Sequence, residues 1–197
     1  ERTGKTVLHM DIGGGTSNLC LIEDGKVLAT GCLNVGGRLL KLDENGAITY
    51  RSPVLAGITD LQEGMTPTPS QLETLANTLT SALEMAAGLI PETDILCKLT
   101  TKETGKAWRI PQDVTPSFSG GVADCIAHDF PDHAFGDIGP VLGRAIRESK
   151  LCAGEYFLGE ETIRATVIGA GCHSVQLSGS TVFSQNIRFP MKNIPVA

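Results

Sequence analysis

Short apolar runs bounded by turn-forming residues open the chain. Thr6 to Ile12, Asn18 to Ile22 and Lys26 to Asn34 read as β-strands, the last two joined by the tight turn Glu23-Asp24-Gly25, so an antiparallel meander is predicted. Leu39 to Leu42 and Ala47 to Tyr50 flank Asp43-Glu44-Asn45-Gly46, whose Asn-Gly pair signals a hairpin turn and hence a small β insert. After the Pro/Thr loop Met65 to Pro69 the period changes. From Ser70 to Ala87 the apolar residues Leu72, Leu75, Ala76, Leu79, Leu83 and Ala86 recur at helical spacing. Thr68 is placed to cap this helix, with Pro69 at its first position, Gln71 closing a capping box and Gly88 stopping it.

The pattern then softens. Ile95 to Thr101 reads as a strand and Lys102 to Arg109 as an exposed turn. Val114 to Phe118 is a short β-like run, Ser119-Gly120-Gly121 a turn, and Val122 to Ala127 the start of a helix; Ile138 to Ser149 is a second short helix after a polar loop. Strands return at Thr162 to Ile168, Val175 to Leu177 and Thr181 to Ser184, separated by Gly169-Ala170-Gly171 and Ser178-Gly179-Ser180. No low-complexity tract or solenoid-length repeat interrupts this order.

With 197 residues the chain is long enough to bury a real core. Its formal net charge of −6, without any Lys/Arg run, argues against nucleic acid or an acidic membrane surface as partner, because both need basic patches. The six cysteines form no Cys-x-x-Cys pair, so no zinc cluster or thioredoxin-like site is encoded. Free, mostly buried thiols and the lack of a long apolar run fit a reducing cytoplasm. The chain starts at Glu1 rather than at a methionine and is expected to be a piece of something longer.

Chemistry concentrates in Asp11-Ile12-Gly13-Gly14-Gly15-Thr16-Ser17. Glycines let backbone N–H groups converge on an anion, Asp11 suits a hydrated Mg²⁺, and the hydroxyls of Thr16 or Ser17 can donate. Strands on both sides make this a β-hairpin, unlike the strand-to-helix Walker loop or dinucleotide fingerprint. A bare glycine-rich turn would show the same string. Gly120, Gly121 and Val122 repeat the theme, in a turn where a flat ligand can lie against backbone. Gly36 and Gly37 read as a turn, His173 beside Cys172 as a structural histidine, and His128, Asp129, Asp132 and His133 as a solvated loop.

In this order the two glycine sites resemble one half of the actin-like ATPase (ribonuclease H-like) α/β fold shared by sugar kinases and heat-shock chaperones. That likeness implies a mixed sheet flanked by helices with an added C-terminal β-rich segment. It makes residues 1–197 a single half: a meander and insert over 1–64, a helical and adenosine-motif part over 65–150, and a β segment over 151–197. Gly13, Gly14, Gly15, Thr16 and Ser17 then look like the second phosphate loop, and Gly120-Gly121-Val122 like the adenosine motif. The companion loop belongs to an N-terminal half that is not in this chain.

Longer strings narrow the likeness. Cys32-Leu33-Asn34-Val35-Gly36-Gly37-Arg38-Leu39-Leu40, Phe118-Ser119-Gly120-Gly121-Val122-Ala123-Asp124-Cys125-Ile126, Phe135-Gly136-Asp137-Ile138-Gly139-Pro140 and Ile168 to Thr181 are similar to the reactivating factors of ethanolamine ammonia-lyase, the EutA family. The resemblance implies an ATP- and Mg²⁺-dependent, chaperone-like factor that acts on that lyase and exchanges damaged cobalamin for adenosylcobalamin. Asp11 would position Mg²⁺ through water and is the one residue with a catalytic bearing; no general base is assigned. The family further implies a cytoplasmic setting, with association with a bacterial microcompartment left open. Half of a small-molecule kinase, or a partner-binding module without useful nucleotide binding, are the alternatives. With half the phosphate clamp absent, the isolated chain is expected to bind ATP weakly and not to turn it over.

Overall fold

Alternation within the first strands decides which side of the sheet becomes the core. The computed structural model describes residues 5–101 and 114–159. β1 (Thr6–Ile12) pairs antiparallel with β2 (Ser17–Glu23), with Met10 opposite Leu19 and Leu8 opposite Leu21. Leu8, Met10, Ile12, Leu19 and Leu21 are all buried, while the intervening His9, Asp11, Asn18 and Cys20 share the opposite face. β3 (Lys26–Leu33) completes the predicted meander. Asp24 and Gly25, both at positive φ (47° and 76°), make the tight turn into it.

The predicted insert is a two-stranded sheet of β4 (Leu40–Leu42) and β5 (Ile48–Arg51). Its turn is held by the Asp43 carboxylate, which accepts from the N–H groups of Asn45 and Ala47 at 2.9 and 2.8 Å. Helix α1 (Pro69–Ala86) starts at the expected capping box. The Gln71 N–H donates to Thr68 Oγ1 and the Thr68 N–H to Gln71 Oε1, a cap worth about 1 kcal/mol. It stops in a Schellman turn: Gly88 at φ +70° follows the last residues, and the Leu89 N–H reaches back to the Glu84 carbonyl at 2.9 Å.

The strand expected over Ile95 to Thr101 is instead helix α2 (Asp94–Leu99). Thr93 caps it, its Oγ1 accepting from the Ile95 N–H. Ile95, Leu96 and Leu99 stand at i, i+1 and i+4, a one-sided helical stripe that a short apolar run hides. Only beyond it does the chain turn extended: the Asn34 N–H donates to the Leu99 carbonyl and the Thr101 N–H to the Cys32 carbonyl, with Thr100 bridging Leu33. The turn expected over Lys102 to Arg109, the strands expected beyond Thr162, and the Gly169 to His173 region lie outside the described residues.

β6 (Val114–Ser119) adds parallel to β1, and the short β7 (Phe157–Leu158) adds parallel to β6, giving one mixed sheet in the order β3-β2-β1-β6-β7. Helices α3 (Gly121–Ala127) and α4 (Gly139–Arg147) follow β6. Phe118, Val122, Ile126, Val141, Leu142 and Ile146 join Leu72, Leu75, Leu79 and Leu83 of α1 and the buried row of β1 and β2 in one core. Each large side chain fully buried there is worth roughly 1.5–3 kcal/mol. α3 and α4 approach closely enough that Gly143 carries no side chain by necessity: a methyl there would lie 2.3 Å from Cys125 Cβ. The architecture is thus α/β, a mixed sheet with helices packed on its apolar face. Among the described residues no helix is long and apolar enough to cross a membrane.

Candidate functional site

β1 and β6 run parallel with Asp11 opposite Ser119, so the turns that leave their ends emerge side by side. Gly120 sits at φ +86°, ψ 177°, a conformation essentially restricted to glycine. A methyl on it would stand 2.5 Å from the Ile12 carbonyl oxygen and 2.6 Å from Asp11 Oδ1. The second glycine turn is therefore pressed directly onto the first. Gly121, the first residue of α3, faces open space, whereas Val122 is buried in the core with its side chain toward Gly37.

The hairpin turn itself is set by a few hydrogen bonds. The Gly13 N–H is spent on the Thr16 carbonyl at 2.9 Å. The Gly13 and Gly14 carbonyls accept from the N–H groups of Gly37 (3.1 Å) and Arg38 (2.6 Å). What is left are the N–H groups of Gly14, Gly15 and Thr16, which donate to no protein acceptor among the described residues. Three adjacent unspent donors are the kind of backbone group that an anion can satisfy. Gly15 is exposed and a side chain on it would meet nothing within 4 Å.

Ser17 turns the other way. It shares the parity of Leu19 and Leu21, is fully buried, and donates its hydroxyl to the Val35 carbonyl at 2.8 Å. Of the two hydroxyls read from sequence, Thr16 alone stays in the turn; Ser17 ties the hairpin to the segment beneath it.

That segment is more than the turn read from sequence at Gly36 and Gly37. A methyl on Gly36 would lie 2.5 Å from the Gly14 carbonyl oxygen, so Gly36 is the bare floor under the hairpin. Arg38, unassigned by sequence reasoning, lays its stem across Gly14. Its Nε faces Asp137 Oδ2 at 3.5 Å. Asp137 is buried, and its Oδ1 accepts from the Gly139 N–H at 2.8 Å. Burial pushes its carboxyl above the ordinary range, against the opposing pull of the Gly139 N–H and the Arg38 and Lys41 charges. A Gly-Gly-Arg string following a glycine-rich hairpin was the available signal.

On the polar face of the sheet, His9 bridges the hydroxyls of Ser117 (Nδ1, 3.1 Å) and Ser119 (Nε2, 3.0 Å). Burial holds its imidazole below the usual value, Asp11 partly offsetting this, so one hydroxyl donates to the neutral ring and the other accepts. His9, Asp11, Asn18, Cys20, Thr30 and Cys32 line a shallow hollow of 410 Å³ on this face. A larger hollow of 620 Å³ opens at the other end of β1, between Lys5, Lys150 and Glu155, away from both turns. The loop read as solvated is pinned by α4: Arg144 pairs with Asp132 at 2.8 Å and Arg147 pairs with Asp129. His128 and His133 are not joined into a metal site; among the described residues no three His, Cys, Asp or Glu side chains gather as a ligand set.

The chain has clear relatives. The model of the family described as "Ethanolamine utilisation protein EutA" matches residues 1–197. "Ethanolamine ammonia-lyase reactivase EutA" of Salmonella typhimurium (strain LT2) is 40% identical over 200 residues, covering 97% of this chain and 42% of that protein. Its namesake in Escherichia coli (strain K12) is 37% identical over 196 residues, with the same 97% and 42% coverage. This chain therefore spans about two-fifths of the curated relatives it matches. No solved structure matches it. With the family model running its whole length and the quoted glycine strings all inside the match, the chain belongs to the EutA family of ethanolamine utilisation proteins.

Proposed function

We propose that this chain is the nucleotide-binding half of a factor that reactivates ethanolamine ammonia-lyase, with ATP and Mg²⁺ as its ligands and an actin-like fold as its frame. The relatives carry the reactivase name. Three antiparallel strands followed by two parallel ones, in the order β3-β2-β1-β6-β7, support the actin-like reading. The observation that supports the ligand assignment is the register of Asp11 with Ser119, which presses Gly120 onto Asp11 and Ile12 at the entry to the hairpin turn whose Gly14, Gly15 and Thr16 N–H groups are unspent.

Each part has a task within this reading. The N–H groups of Gly14, Gly15 and Thr16 hold phosphate oxygens, and the Thr16 hydroxyl adds a donor. Gly120 and Gly121 leave bare backbone for the nucleoside, with the buried Val122 side chain anchoring the turn from below. Among the described residues the part-exposed Asp11 carboxylate belongs to no cluster of three His, Cys, Asp or Glu side chains, a donor set that fits a cation keeping its own waters better than a protein cage. Bound Mg²⁺ would supply charge neutralisation along the phosphate chain. The companion phosphate loop belongs to sequence other than these 197 residues, and closure of the two halves on ATP would favour one lyase conformation over another. That bias would release damaged cobalamin, which a radical enzyme otherwise grips tightly. A cytoplasmic setting beside a bacterial microcompartment belongs to the same proposal.

The test uses the full-length protein carrying this chain. Incubated with cyanocobalamin-inactivated ethanolamine ammonia-lyase, Mg-ATP and adenosylcobalamin, it restores activity, and Asp11→Ala does not. No restoration overturns the reactivase reading. No calorimetric heat with Mg-ATP overturns the nucleotide assignment and leaves a partner-binding module.

A further inference from the structure

We propose that Arg38 is the side chain that grips the phosphate tail in the hairpin, with Asp137 as its positioning residue. The inference rests on the nucleotide reading above and adds a residue to that site.

Three observations converge. The first is contact: a methyl on Gly14 would meet Arg38 Cδ at 3.1 Å, Cγ at 3.3 Å and Cβ at 3.4 Å, so the arginine stem lies on the bare face of the middle glycine. The backbone is fixed at the same point, because the Arg38 N–H donates to the Gly14 carbonyl at 2.6 Å. The guanidinium thus starts from a base tied to the turn whose N–H groups are unspent.

The second is orientation. Nε faces Asp137 Oδ2 at 3.5 Å, while no other side chain among the described residues pairs with the guanidinium, and the arginine side chain remains 69% exposed. The Asp137 side chain is only 9% exposed. Its other oxygen is taken by the Gly139 N–H, and the next residue, Ile138, donates its N–H to the Gly37 carbonyl at 3.0 Å. The carboxylate is therefore held at Oδ1 on a backbone tied to Gly37, and its Oδ2 steers one edge of the guanidinium, leaving the forked edge with its two terminal nitrogens for an oxyanion.

The third is charge. The hairpin offers neutral N–H donors and one carboxylate, Asp11, whereas a triphosphate brings several negative charges. A planar guanidinium makes the short paired bonds to phosphate that N–H groups of the turn cannot match in strength. An arginine placed solely to neutralise Asp137 would also face that carboxylate, but its effect on ligand binding would vanish once the carboxylate is gone. The two roles therefore separate in a double-variant cycle.

The experiment is calorimetric titration of the full-length protein with Mg-ATP, using Arg38→Ala, Arg38→Lys, Asp137→Asn, the Arg38→Ala/Asp137→Asn pair and Asp11→Ala, with thermal melts of each ligand-free protein. Arg38→Ala is expected to weaken Mg-ATP by about 10- to 100-fold, the worth of a charged hydrogen bond, with the ligand-free melt still cooperative. Arg38→Lys recovers part of the affinity, and Asp137→Asn alone weakens it less than Arg38→Ala. The Arg38→Ala loss persists in the Asp137→Asn background. If wild type binds and Asp11→Ala fails to, but Arg38→Ala binds as wild type does, the Arg38 assignment is overturned and the site reading stands. A loss that disappears in the Asp137→Asn background also overturns it. If wild type itself gives no binding, the nucleotide reading falls and Arg38 with it.

Discussion

Gly120 and Gly121 are neighbours in sequence, yet alanine should act on them with opposite sign. At Gly120 two costs add. Its φ of +86° and ψ of 177° lie in the region closed to residues with a Cβ, at roughly 1–3 kcal/mol. The new methyl would also stand 2.5 Å from the Ile12 carbonyl oxygen and 2.6 Å from Asp11 Oδ1, and both are anchored: Ile12 by the β1 ladder, Asp11 by its place opposite Ser119. Overpacking against such atoms costs a further ~1–3 kcal/mol. Gly120→Ala should therefore destabilise by about 2–6 kcal/mol, a large share of the total stability of a typical domain. At Gly121 the backbone is helical, no atom stands within 4 Å of the added methyl, and alanine is the better helix former, so stability holds or rises by about 0.4–1 kcal/mol. The assay is urea unfolding followed by circular dichroism, with calorimetry of the full-length protein beside it. Gly121→Ala should fold like wild type and still lose Mg-ATP affinity, because the methyl fills space meant for ligand. Gly120→Ala within about 0.5 kcal/mol of wild type would refute the packing argument.

Gly143→Ala should also destabilise, by about 1–3 kcal/mol, because its methyl would meet Cys125 backbone at 2.5–2.7 Å; a variant stabilised by its gain in helix propensity would contradict this. Iodoacetamide near neutral pH should modify exposed Cys97 in the native protein and spare Cys125, whose thiol burial pushes up to about 11; equal labelling rates by mass spectrometry would sink the assignment. Asp137, raised by burial above its unfolded value of 3.8, is held more tightly as the acid in the folded state. Its contribution to stability therefore falls as pH rises above 3.8, and wild type should lose ground to Asp137→Asn in melts at successively higher pH from there. A constant gap between the two would show that the carboxyl is not perturbed.

Local signals were legible and distant ones were not. Thr68, Pro69, Gln71 and Gly88 announce both ends of α1 because a capping box and a Schellman turn each need only neighbouring residues. The hairpin glycines and Gly120-Gly121 were readable as strings, since their composition alone suits an anion and a flat ligand. Ile95-Leu96-Cys97 misled because a six-residue helix offers too few turns for its period to show. Ser17 was drawn into the site by its place beside Thr16, while the strand parity it shares with Leu19 sends it to the core. Arg38 and Asp137 went unassigned because their meaning depends on partners far along the chain, Gly14 for Arg38 and Arg38 for Asp137, met only after the chain has folded back.

The pairing of Asp11 with Ser119 also dictates where the chain tolerates a change in length. Side chains alternate faces at every step, so removing one residue from β6 would carry Phe118 out of the core and Ser119 into it. The same loss in β1 would exchange Met10 for Asp11. Strand lengths up to the two glycine turns are therefore a fixed count. Within the Asp43–Ala47 turn Glu44 and Asn45 are exposed, and the chain can lengthen between them without disturbing that count. Libraries that vary length should preserve β1 and β6 residue for residue and place their insertions in that turn.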